Sequence, residues 1–222
     1  MSPVTFRQAG EIAKVVATVD HVSGGRVELG LGAGWNEREH EAFGFPFPDL
    51  RERMDLLERQ LAHVTRQWAE LTPTPAQEPH PPLIMGGAAA RRSCRLAALF
   101  ADEYNTAFAS VEDCAERRAR VVAACADAGR EPILFSLMTG CIVGRDRAEV
   151  EERAARVGRR TGMDASDLLG SERSIAGIVE EVVERLGEYE RVGVGRVFLQ
   201  HLDHEDLEMV RLIGAEIVPS VG

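Results

Sequence analysis

The chain has 222 residues, 45% hydrophobic and 28% charged, which suffices for one ordinary soluble domain, residues 1–222, to bury its apolar surface. The 26 Lys and Arg stand against 36 Asp and Glu, so the net charge is -10 and a nucleic-acid partner is disfavoured. No apolar run reaches spanning length and no charged-then-apolar leader opens the chain, so no membrane partner and a cytoplasmic location are expected.

The first pattern is helical: Ile12, Val15, Val16 and Val19 recur at helix spacing, and Ser23, Gly24 and Gly25 stop the run. A helix that opens an alternating fold has no earlier strand to dock beside. Residues 1–8 therefore read as the tail of a strand-to-helix loop whose strand is absent. Arg26 to Gly32 reads as a strand, and Asp49 N-caps a long amphipathic helix ending at Glu70. Residues 71–82 hold five prolines, which fix the backbone and remove donors, so they predict an extended surface link.

Beyond the link the order alternates. Strands are expected over 82–87, 103–106, 133–144 and 196–202, and helices over 90–103, 110–129, 146–162, 174–193 and 203–219. Alternation of this kind demands a parallel sheet covered by helices, either open and doubly wound or a β/α barrel. About five strands are counted, against the eight of a closed barrel. Cys94, Cys114, Cys125 and Cys141 form no C-x-x-C pair and read as reduced, small apolar residues.

In parallel α/β folds ligands gather in the loops at the carboxyl ends of strands. Two such loops are rich in glycine. In the first, from Gly30 through Gly32 and Gly34 to Asn36, the backbone can turn sharply or approach a flat ring, and Asn36 can cap a helix or bind a ligand. A plain structural turn is the alternative. The spacing lacks the third glycine of a dinucleotide fingerprint, and the next strand ends without the acidic residue that holds ribose, so a nicotinamide enzyme is disfavoured.

The second loop runs from Gly86 and Gly87 into small residues that open a helix, which suits either an anion at free N–H groups or close packing of helix on strand. Arg91 or Arg92 can add charge there. His201 and His204 form an H-x-x-H pair without a suitably spaced third ligand, so Asp203 and Asp206 read as caps of the next helix and no metal is expected. Glu37, Glu39, His40 and Glu41 are acid or base candidates by type, although charged residues on a first helical turn are usually solvated.

The segments Thr5 to Arg7, Ile12 to Pro48, Arg53 to Leu61, Pro79 to Gly87, Leu96 to Thr106 and Val197 to Asp203 closely resemble the luciferase-like monooxygenase superfamily, and best its coenzyme F420-dependent oxidoreductase branch. The likeness implies a TIM-type (β/α) barrel of the bacterial luciferase kind, here incomplete, with about five of its eight strands. It implies an oxidoreductase that moves a hydride between F420, or alternatively FMN, and a small organic substrate. Gly32, Ala33, Gly34 and Asn36 then lie beside the ring, the Gly86, Gly87 and Ala88 loop holds the phosphate, and Asn105 and Thr106 line the same mouth.

Where some deazaflavin dehydrogenases carry an acidic glutamate, this chain has Ala33, so that proton-transfer role does not carry over and no catalytic residue is assigned. Relatives begin with three further strands and have a longer segment where this chain has only the link 71–82. Unpaired strand edges invite other chains. A homodimer is therefore expected, and the alternative is a non-catalytic, shortened relative that binds a flavin or a partner chain.

Overall fold

The computed structural model describes residues 1–70 and 72–221; Leu71, the first residue of the expected link, and Gly222 lie outside it. The chain divides into two compact units, the first made of residues 1–105 with 120–133 and the second of 106–119 with 134–222.

In the first unit β1 (Ser2–Pro3), β2 (Leu29–Gly32), β3 (Leu83–Gly86) and the start of β4 (Glu103–Ala107) pair in sequence order, all parallel. Leu31 sits opposite Met85, and Gly86 opposite Asn105. Parallel neighbours need crossovers, which α1 (Ala9–Ser23), α3 (Leu50–Glu70) and α4 (Arg91–Phe100) supply. α1 buries Ile12, Ala13, Val16 and Ala17 and ends on left-handed Gly24 at φ +68°. α3 starts where Asp49 Oδ1 accepts from the Glu52 N–H at 2.8 Å, as its sequence predicts, and buries Leu57, Leu61, Val64 and Trp68.

The link is extended but fastened. Asp20, wholly buried on the apolar face of α1, accepts from the Gln77 N–H at 2.8 Å and from Gln77 Nε2 at 2.7 Å. Gln77 Nε2 also donates to the Val27 carbonyl at 2.8 Å.

In the second unit the eleven-residue β5 (Leu134–Gly144) pairs parallel with β7 (Arg196–Gln200) along its first half and with β6 (Ile175–Ile178) along its second. Helices α6 (Arg147–Thr161), α7 (Ala165–Gly170) and α8 (Val179–Arg191) belong to this unit. Ile142, Val150, Ala154, Val157 and Leu168 form a core there. α5 (Val111–Asp127) and β4 each contribute residues to both units.

Seven strands stand among the described residues, where the sequence shows about five. β1 is only two residues long, within the segment read as a loop tail. β6 lies inside the expected helix 174–193, because Ile175, Ile178 and Val182 also fit helical spacing. The strand prevails because Ile175 and Gly177 are buried alternately and the segment pairs with Cys141 to Gly144, so the helix begins only at Val179. The strand expected from Arg26 is paired only from Leu29. The last expected helix, 203–219, is regular only in α9 (Leu207–Leu212); Asp206 caps it, and wider and tighter turns follow over 213–220. All four cysteines are free and buried, and burial pushes the thiol of Cys114 up to about 11 and that of Cys141 up to about 12. None of the described helices is long and apolar enough to cross a membrane.

Candidate functional site

The first unit brings most of the predicted residues to the carboxyl ends of three adjacent strands. Gly32 ends β2 and is followed by Ala33, Gly34 and Asn36, Gly86 ends β3 and is followed by Gly87 and Ala88, and Asn105 lies on β4 opposite Gly86. Thr106 belongs to the second unit, where its buried Oγ1 accepts from Arg117 Nη1 at 2.6 Å.

Each corner has a glycine with little room for a side chain. Gly34 sits at φ +82°, and a Cβ there would lie 3.3 Å from Pro3 Cβ and 3.4 Å from His40 Cε1. A Cβ on Gly86 would come within 3.0 Å of the Asn105 carbonyl oxygen, which accepts from the Gly87 N–H at 3.1 Å. The side chain of Met1, 65% exposed, lies across Gly30 and Gly86.

Behind the second corner Tyr104, fully buried, shapes the turn. Its hydroxyl accepts from the Ala89 N–H at 3.0 Å and shares a 2.9 Å hydrogen bond with Ser93 Oγ. Ala89 is thereby held at φ +54°, a conformation uncommon without glycine. α4 then starts at Ala90 with no side-chain cap, so its first-turn N–H groups are available to an acceptor.

The two arginines there differ. Arg92 pairs with Asp55 at 2.6 Å and Glu58 at 2.9 Å, and hydrogen bonds from Arg95 and Arg92 hold the Glu58 carboxyl below its ordinary range. Of these two arginines, Arg91 is the exposed one without a carboxylate partner among the described residues.

At the first corner Asn36 Oδ1 caps α2 (Glu37–Phe43) by accepting from the Glu39 N–H at 3.3 Å. His40, placed among solvated acid and base candidates by its position, is fully buried. Its Nδ1 donates to the Asn36 carbonyl at 2.7 Å, which leaves Nε2 to accept from Thr5 Oγ1 at 2.6 Å. Phe6 and Phe47 flank the ring at 4.8 and 4.6 Å. His40 is thus a tie between the β2 corner and residues 5–6.

His201 Nε2 donates to the Asp206 carbonyl at 3.1 Å, and among the described residues no three His, Cys, Asp or Glu side chains gather to hold a metal. Asp206 caps α9, as expected, but Asp203 serves instead as a partner of Arg156 at 2.9 Å.

A family model described as luciferase-like monooxygenase matches residues 1–196. An FMNH(2)-dependent dimethylsulfone monooxygenase of Pseudomonas putida is 30% identical over 116 residues, 45% of this chain but only 32% of that relative's length. Among solved structures, monooxygenase RslO1 from Streptomyces bottropensis superposes with a TM-score of 0.81 at 19% identity, covering 99% of this chain and 76% of that one. The coenzyme F420 dependent tetrahydromethanopterin reductase from Methanopyrus kandleri gives 0.72 at 19% identity, covering 100% and 82%. These superpositions show the α/β, TIM-type fold class of luciferase-like proteins. Since the family model extends over 1–196 of 222 residues, the chain belongs to the luciferase-like monooxygenase family.

Proposed function

We propose that the chain carries the cofactor-binding part of an oxidoreductase that transfers a hydride between coenzyme F420, or alternatively FMN, and a small organic substrate. The observation that carries this reading is the pair of small-residue corners on adjacent strands β2 and β3, where Gly34 and Gly86 leave no room for a Cβ, the second opening onto the uncapped start of α4. Such a helix start accepts a phosphate through its N–H groups, and Ala88, Ala89 and Ala90 offer no bulk to block it. The residues present fit a phosphorylated, ring-bearing molecule.

When bound, the ring supplies the hydride chemistry. The chain's own residues bind and orient. Gly86, Gly87 and Ala88 hold the phosphate, Arg91 adds a positive charge beside it, and the Gly32–Gly34 backbone borders the ring. Asn36, its oxygen occupied by the cap, keeps its amide nitrogen as a donor. Met1 reaches across Gly30 and Gly86 and must swing aside, which a flexible exposed thioether does at little cost. Ala33 carries no proton, so any proton transfer comes from another group or from water.

Titration of the purified chain with F420 and with FMN, followed by ligand fluorescence and by emission from Trp35, tests this. One of the two is expected to bind with a Kd of roughly micromolar order, and Arg91→Glu should weaken it about tenfold without lowering Tm. No binding of either at roughly 100 μM would sink the proposal. Binding without turnover of any candidate substrate would favour the non-catalytic relative.

A further inference from the structure

We propose that Tyr104 is a positioning residue for the phosphate of the bound molecule: its hydroxyl ties the Ala89 N–H inward, so that the phosphate meets the N–H groups of Ala88 and Ala90 on either side. This rests on the reading above that the β3 corner receives a phosphorylated, ring-bearing molecule. Two consecutive residues of β4 grip that corner from behind. The Asn105 carbonyl accepts from the Gly87 N–H at 3.1 Å, and the Tyr104 hydroxyl accepts from the Ala89 N–H at 3.0 Å. Both of these N–H groups are therefore engaged within the chain, whereas Ala88 and Ala90 are exposed. Gly87 is held close as well, since a Cβ there would lie 3.2 Å from the Tyr104 hydroxyl oxygen.

The donors and acceptors behind the corner follow from the number of hydrogens present. Ser93 Oγ donates its one hydrogen to the Ala90 carbonyl at 2.9 Å, so at its 2.9 Å contact with Tyr104 it accepts and the phenol donates. The phenol oxygen is left as the acceptor for Ala89. One directed chain thus runs from the Ala89 N–H through both hydroxyls to the Ala90 carbonyl, and it closes around the residue that carries φ +54°. Tyr104 is wholly buried and Ala89 is 1% exposed, so water does not replace the phenol oxygen when it is removed. Without that acceptor an alanine does not keep a positive φ. The bend then relaxes toward ordinary backbone and carries Ala88 and Ala90 out of place.

Ligand pairs with and without the phosphate test this: FMN against riboflavin, and F420 against its phosphate-free deazaflavin, each titrated into the full chain. The wild-type chain should prefer the phosphorylated member of one pair at least about tenfold, and Tyr104→Phe should bring that preference close to one while leaving the phosphate-free member's binding unchanged. A merely looser fold would weaken both members alike. Adding Ala89→Gly to Tyr104→Phe should recover most of the preference, because glycine keeps a positive φ without the hydroxyl. Hydrogen exchange supplies a readout that needs no variant. In the wild-type chain the Ala89 amide should be protected before any ligand is added, and the Ala88 amide should gain protection only with the phosphorylated one. Failure of the wild-type chain to bind either phosphorylated molecule at roughly 100 μM removes the function proposed above and this inference with it. If binding holds, an unchanged preference in Tyr104→Phe, or an Ala89 amide that exchanges freely in the unliganded chain, would overturn this inference alone.

Discussion

Both ring nitrogens of His40 are engaged, one by a near neighbour in sequence, Asn36, and the other by a distant one, Thr5. Replacing it by leucine keeps much of the volume but strands a carbonyl and a hydroxyl, which should cost about 2–4 kcal/mol in urea unfolding. His40→Gln, able to donate and accept, should recover part of that loss. A leucine variant as stable as the parent would show that the tie is idle. The sequence could not separate His40 from Glu37, Glu39 and Glu41, because burial there depends on Thr5, Phe6 and Phe47 rather than on local spacing. The glycine corners, by contrast, were legible, since positive φ and close backbone approach select for glycine directly. Tyr104 left no such trace, and its grip on Ala89 and Ser93 emerges only when β4 is beside β3.

Among the elements, α6 is joined to the start of α9 by charge. Arg153, 4% exposed, donates to Asp206 Oδ2 at 2.7 Å and to the Val143 carbonyl at 2.6 Å, while Asp206 Oδ1 caps α9 through the Met209 N–H at 2.9 Å. Burial pushes the Asp206 carboxyl up. The Arg153 hydrogen bond, the Met209 N–H and the charges of Arg153 and Arg156 outweigh it and hold the group below the ordinary aspartate value of 3.8. A depressed folded value contributes stability that is present above the unfolded pKa and is lost as pH falls through the folded one. Unfolding free energy should therefore decline below about pH 4, and Asp206→Asn should flatten that decline while costing about 3–5 kcal/mol at neutral pH. Urea midpoints across this range check both, and an equally steep acid slope in the variant would refute the assignment. Arg153 shares the core face of α6 with Val150, Ala154 and Val157, and its tie to Asp206 joins residues 53 apart, so spacing along the chain did not reveal it. β6 was missed because a four-residue apolar run adjoining a helix satisfies both periods, and pairing with β5 decides.

At the scale of the whole molecule, alternation of strand and helix revealed the parallel α/β class, but nothing in composition marked where one compact unit yields to the other. The boundary falls inside elements, between Asn105 and Thr106 of β4 and between Ala119 and Arg120 of α5. Melting either unit therefore unravels a strand and a helix that the other also uses. One cooperative transition is expected: in a Trp35→Phe background, Trp68 emission and the labelling of Cys141 during urea pulses should share a midpoint. Separate midpoints would show that the shared elements do not couple the units.

The clasp between Asp20 and Gln77 bears on how this chain can be altered. It divides the stretch after α3 into two short spans, each with its own fixed ends. Foreign sequence grafted between Pro73 and Pro75 would loop outward from a held base and leave the approach to β3 as it is. The same graft placed at Gln77 would strip a buried carboxylate of its donors and loosen the rear of the very sheet whose front edge carries the glycine corners.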